Sequence, residues 1–161
     1  MKLRGLTTTF CLTTLLIGMA NLVQSSASAE SERTENSCKV AMNRAKERIT
    51  RGRDLRIVSF GNVDALPTYP DHPNGRPLIF EIVLEGKAAS SVMLSPAFQK
   101  TVASEIIRSC GSVSAIDFAM YRSGWGSMTG LMPDGTIQRF QCLEPSRDRP
   151  RVSWGQQICG L

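Results

Sequence analysis

Asp117, Glu81, His72 and two groups of arginines are the residues whose types and placing could do chemistry here. Paired carboxylates hydrolyse glycosides, and Asp117 with Glu81 or Asp134 is the nominal pair. Asp117 lies mid-strand in the apolar run Val113–Tyr121, where a carboxylate is disfavoured. It is expected to pair with Arg122 or Arg139, or to lie on a wet face. A lone carboxylate in a strand shows no partner spacing, so a small carboxylate-dependent hydrolase is the alternative reading rather than the first. His72 is the single histidine, set in Tyr69-Pro70-Asp71-His72-Pro73. Any Ser–His or Cys–His scheme must use it, and in that loop it reads as a solvent-exposed residue. Ser127 is no nucleophile elbow, because Trp125 and Thr129 stand where G-x-S-x-G needs glycine.

Metal chemistry is poorly supplied. One histidine and no C-x-x-C pair lack the close ligand spacing of structural zinc sites. No metal and no other cofactor is expected, and a thioredoxin-like redox role goes with the missing C-x-x-C. Gly124-x-Gly126-x-x-x-Gly130 has one residue too many for G-x-G-x-x-G and leads into a strand, so it reads as a bend between strands.

The basic features are more promising. Positions 39–56 hold seven Lys/Arg against Glu47 and Asp54, a local net charge of +5. The candidate binding residues there are Arg44, Arg48 and Arg51. A second group, Arg147, Arg149 and Arg151, sits in the proline-containing loop Arg147-Asp148-Arg149-Pro150-Arg151. A loop closed by Cys142–Cys159 would present these arginines pre-ordered, which lowers the entropic cost of binding. Its partner would be an acidic protein, an anionic polysaccharide or, for a protease inhibitor, a trypsin-like pocket. The competing explanation for both groups is an ordinary solvated surface.

The elements that must position these residues begin after an export signal. Lys2 and Arg4 precede an uncharged stretch that lasts until Glu30; Leu12–Val23 is its apolar centre, and Ala27-Ser28-Ala29 is a small-x-small cleavage pattern. Residues 1–29 are read as a cleaved signal peptide. An uncleaved anchor over Gly5–Val23 is the rival reading, made poor by its threonines, glycine and asparagine. Loss of residues 1–29 leaves 132 residues, one domain's worth, with 17 Lys/Arg and 14 Asp/Glu. A net charge of +3 is mild, and no nucleic-acid partner is expected. No membrane span is expected after cleavage. The location is secreted or periplasmic, where thiols pair, so Cys38, Cys110, Cys142 and Cys159 should form two disulfides. Three connectivities are open; Cys142–Cys159 with Cys38–Cys110 is favoured, one pair near in sequence and the other stapling two helix ends.

Along the chain, residues 30–36 are polar and aperiodic and read as a flexible leader before a single domain over 37–161. Cys38, Met42, Ala45 and Ile49 mark one face of a helix over Ser37–Arg51, with Gly52 as its stop. Leu55–Phe60 reads as a strand, residues 62–77 as a proline-rich loop, and Leu78–Glu85 as an alternating strand with Leu78, Phe80, Ile82 and Leu84 on one face. Ser95-Pro96 opens a second helix by N-cap chemistry and Gly111 ends it. Val113–Tyr121 follows as a strand. Met128–Met132 and Thr136–Leu143 then form a hairpin about Pro133-Asp134-Gly135. The sum is α+β: two helices on a mostly antiparallel sheet of about five strands, in the order α-β-β-α-β-β-β.

Gly124-Trp125-Gly126, Phe140-x-Cys142 and the terminal Trp154-Gly155-x-x-Ile158-Cys159 resemble a group of small exported cyanobacterial proteins of uncharacterised function. The resemblance covers about residues 110–159. It implies export and two disulfides, and it carries no catalytic residue over. The function expected from all of this is an exported, non-enzymatic domain that binds an acidic or envelope partner through its basic surface.

Overall fold

The computed structural model describes residues 17–145 and 152–159. Its two units are Met1–Arg33 and Thr34–Leu161. In the first, the described residues are helical. The second contains the sheet, the shorter helices and both disulfides. The elements are α1 (Ile17–Thr50), β1 (Arg56–Asp64), β2 (Leu78–Glu85), α2 (Ala89–Met93), α3 (Pro96–Ser109), β3 (Val113–Met120), β4 (Gly126–Leu131), β5 (Ile137–Arg139), β6 (Gln141–Leu143) and β7 (Gln156–Ile158).

The helix begins earlier than its apolar face does. Residues 30–36, read above as a flexible leader, are helical. They show no apolar period because residues 31–37 are exposed. Local pairing supports them: Lys39 Nζ lies 2.7 Å from Glu35 Oε1, one turn away, and Ser37 Oγ donates to Thr34 O at 2.8 Å. From Cys38 onward the expected stripe faces the core, with Ala45 and Ile49 buried and Cys38 and Met42 partly buried against them; Ala41 is buried as well, and Gly52 is in the left-handed conformation past the end.

β1 to β5 form one sheet in chain order. Three of its four pairings are antiparallel; β2 and β3 run parallel, with Glu81 beside Asp117. The parallel pair needs a crossover, which α2 and α3 supply. They pack with α1 on the front face of the sheet, over Phe80, Ile82, Leu84, Ile116 and Phe118. The back face carries Ile79, Glu81, Ala115, Asp117 and Met128. It is covered by the loop after β1, through Ala65 and Tyr69, and by Phe140, Val152 and Trp154.

Several local expectations are corrected. β1 continues to Asp64, so the proline-rich loop starts at Ala65. Ser95 makes no side-chain cap bond; its backbone O accepts from Gln99 N at 3.0 Å and its backbone N–H donates to Val92 O, at the end of α2, at 3.2 Å. Cys110, extended and disulfide-bonded to Cys38, ends α3, and Gly111 has no positive φ. The last long strand is broken at Phe140, whose buried ring fills space left by Gly130: a Cβ there would come within 2.6 Å of Phe140 Cε1. Beyond Phe140 the chain leaves the main sheet and β6 pairs in parallel with β7. The hairpin turn forms as expected, with Gly135 at φ 82° and its N–H donating to Met132 O at 2.9 Å. Both disulfides have the favoured connectivity, Cys38–Cys110 and Cys142–Cys159.

Candidate functional site

Ala41, Ala45 and Ile49 turn one side of α1 into the core, which leaves Arg44, Arg48 and Arg51 together on another side. With Glu47, Arg53 and Phe98 these three arginines line a cleft of about 400 Å³. Arg53 follows the Gly52 stop and turns back over the helix end. Its Nη1 donates to Arg48 O at 2.6 Å and Ile49 O at 2.9 Å, satisfying carbonyls that α1 leaves unpaired. Its guanidinium lies 4.8 Å from the Phe98 ring centroid. Arg48 Nη2 is 3.6 Å from Glu105 Oε2, and Arg51 Nη2 is 3.4 Å from Glu47 Oε2. Arg44 makes no ion pair among the described residues. Four guanidiniums against two carboxylates leave the cleft positive around an aromatic wall. Guanidinium forks match carboxylate, sulfate and phosphate oxygens two at a time, and solvent-exposed ion pairs such as Arg51–Glu47 are cheap to exchange.

Arg44, Arg48 and Arg51 are therefore brought together. Arg147, Arg149 and Arg151 lie outside the described residues, although the disulfide expected to close their loop is formed. Sequence reasoning missed Arg53 and Phe98 as members of this cleft. Arg53 falls within the basic stretch, but its seat on Phe98 depends on α3, far along the chain.

Asp117 has neither Arg122 nor Arg139 as an ion-pair partner among the described residues. Its neighbours are like-charged Glu81 on β2 and apolar Met128 on β4. Burial, and next the Glu81 charge, push the Asp117 carboxyl up to about 6. Tyr69 is pushed up to about 12, first by burial, then by Asp117 and Asp71. Ser59 Oγ lies 3.4 Å from Glu81 Oε2, a long hydrogen bond to that carboxylate. Asp134 belongs to the hairpin turn instead: its Oδ1 accepts from Thr136 N at 2.9 Å and Oγ1 at 2.7 Å, which lowers its carboxyl pKa.

His72 is half-buried rather than fully exposed and lines a different cleft, with Asp71 and Trp154. Ser127 is wholly buried and donates to Gln99 Oε1 at 2.9 Å, a structural role. Among the described residues no group of three or more His, Cys, Asp or Glu is placed to hold a metal ion, and no helix is long and apolar enough to cross a membrane. Comparison with family models, curated proteins and solved structures finds no match.

Proposed function

We propose that the chain is an exported binding module that takes an acidic protein or polysaccharide in the cleft of Arg44, Arg48, Arg51 and Arg53. The observation that carries this reading is the convergence of four arginines on one cleft, with an excess of two positive charges over the carboxylates they meet. Export is supported by the signal-like residues 1–29 and by two disulfides suited to an oxidising compartment. The resemblance to small exported cyanobacterial proteins points the same way. The test is binding to a sulfated oligosaccharide and to polyglutamate in low and high salt. Arg44→Ala with Arg51→Ala is expected to weaken binding about tenfold, with the affinity falling as salt screens the cleft. Undiminished binding by the double variant would sink the assignment.

A second reading, carboxylate-dependent hydrolysis, is favoured by the placement of Glu81 beside an Asp117 whose pKa is raised. Aryl glycosides releasing nitrophenol are the probe. If wild type and Asp117→Asn release it at the same background rate, the hydrolase reading is lost. The inhibitor reading rests on residues 147–151, and a trypsin-inhibition assay decides it directly.

A further inference from the structure

The 65–77 loop is long for a connection, yet it is tied down along its length. Ala65 and Tyr69 are buried, and Ala65 N donates to Pro77 O at 2.8 Å. Tyr69 Oη donates to Gln156 O at 2.9 Å. Arg76 Nη1 donates to Ile107 O and Val113 O, both at 2.8 Å. A segment of this length is ordered at considerable entropic cost, and what the ordering presents is Pro70, Asp71, His72 and Asn74. These residues form one side of a cleft of about 500 Å³ whose other side is Met132 and Pro133 of the β4–β5 hairpin.

Trp154 joins the two sides and cannot swing. Its indole N–H donates to Leu131 O at 2.7 Å, and its backbone N–H to Asp71 Oδ2 at 2.9 Å. Tyr69 and Phe140 meet its ring edge-to-face, with centroids 5.4 Å and 5.0 Å away. Most of the residue is covered, and its remaining surface contributes to the lining of the cleft. Polar groups with spare capacity stand around it. His72 Nδ1 is 3.0 Å from Pro73 O; a carbonyl only accepts, so Nδ1 carries a proton, and in the neutral imidazole Nε2 is the acceptor. Asp71 spends Oδ2 on Trp154, and Oδ1 has no hydrogen bond among the described residues. Asn74 is exposed, and its carboxamide has both a donor and an acceptor to offer.

We propose that this cleft, between the Pro70–Asn74 segment and the β4–β5 hairpin with Trp154 joining them, binds a neutral saccharide. The C–H face of a sugar ring packs on tryptophan and proline, while its hydroxyls donate to Asp71 Oδ1 and His72 Nε2 and exchange hydrogen bonds with Asn74. Among the described residues that line the cleft none is Lys or Arg and Asp71 is the one carboxylate, in contrast to the arginine cleft. The rigid walls lower the ordering cost of binding.

The test is an amide and indole N–H NMR titration of the oxidised full chain with maltotriose, cellotriose and triacetylchitotriose, each to roughly 20 mM, the range that reports weak millimolar binding. At least one is expected to give saturable shifts at Trp154 Nε1–H, His72 and Asn74. His72→Ala and Asn74→Ala, at positions outside the core, should each weaken that affinity about fivefold, the effect of one hydrogen bond, with unchanged melting. The proposal is overturned if none of the three sugars moves these signals. It is equally overturned if the shifts saturate identically in both variants, or if only a sulfated oligosaccharide or a lysine-rich peptide binds here.

Discussion

Where the front face of the sheet meets α1 and α3, it buries Phe80, Ile82, Leu84, Ile116 and Phe118; the back face, under the 65–77 loop and the β6–β7 ribbon, sets Glu81 and Asp117 among Ile79, Ala115 and Met128. Gln99 and Ser127, buried at the front, are spent on the protein. Gln99 Nε2 donates to Val92 O and Met93 O, both at 3.1 Å, and Gln99 Oε1 accepts from Ser127. At the back, Gln157 is spent in the same way, accepting from Met128 N at 2.6 Å and donating to Gly126 O at 3.3 Å. The side chain of Asp117 has no hydrogen bond among the described residues, and those of Glu81, Asp71 and His72 are each engaged at one atom only. Helices cover a face with side chains and keep their backbone polar groups to themselves. A loop and a short ribbon bring exposed backbone, carboxylates and aromatic edges to the sheet, and the unspent polar groups of this protein accumulate there.

The largest expected effect lies at the front. Phe118→Ala should lower unfolding stability by about 4–5 kcal/mol in urea, because rigid helices cannot collapse into the vacated volume. Phe140 is equally buried, at 2% exposure, but its cover is loop and ribbon. Phe140→Ala should cost nearer 3 kcal/mol, since that cover can relax. Equal losses, or the reverse order, would break the distinction between the faces.

The staples give a smaller test of the same distinction. Cys38–Cys110 closes a sequence separation of 72 residues and ties α1 to the end of α3; Cys142–Cys159 closes 17 and holds only the ribbon. Replacing both cysteines of a pair by alanine should cost about 4 kcal/mol for the first and about 3 kcal/mol for the second, on loop-closure entropy. Chemical denaturation of the two double variants reads this directly. A larger loss from the second pair would mean that the ribbon is integral to the core.

The front face was the legible one. Its helices and strands have periods of four-three-four and of two, visible in Cys38–Ile49 and Leu78–Leu84, and these placed the core and the α+β class. Strand direction was not legible, because the parallel β2–β3 pairing follows from helices crossing over the sheet, and no local residue encodes it. Nor was α2, a five-residue helix too short to show a period, or β7, three residues whose pairing depends on the remote Cys142. The arginine side of α1 could be read from spacing. Arg53 and Phe98, and the cleft that joins His72, Asp71 and Trp154, could not, since each is assembled from segments distant in sequence.

Asp117 turns the comparison into a pH dependence. Its carboxyl is raised from an ordinary value near 4 to about 6 in the folded chain, so between those values the folded state binds more protons than the unfolded one. Its contribution therefore favours folding at low pH and is lost as pH rises through about 4 to 6. The groups that couple to it are Glu81 on β2 and Tyr69 from the loop, and neither supplies a positive charge. Asp117→Asn should be more stable than wild type at pH 7 by about 1–3 kcal/mol, and the gain should vanish near pH 4. Thermal melts of both proteins across this range decide it; a variant less stable at pH 7 would show that the back face needs the charge.

The smallest effects belong to the arginines, and they separate a residue that builds the cleft from those that only line it. Arg53 satisfies two helix-end carbonyls and stacks on Phe98, so Arg53→Ala should cost about 1 kcal/mol. Arg44 has no ion pair among the described residues, and the Arg51–Glu47 pair is solvent-exposed, with side chains at 80% and 67% accessibility. Arg44→Ala with Arg51→Ala should leave stability within about 0.5 kcal/mol of wild type, in thermal melts at the salt concentration used for the binding assays. If removing these charges costs the fold nothing, the outcome favours the binding reading proposed for the cleft over a structural role. If the double variant is destabilised by more than Arg53→Ala, the cleft is a structural joint and its convergence needs no partner to explain it.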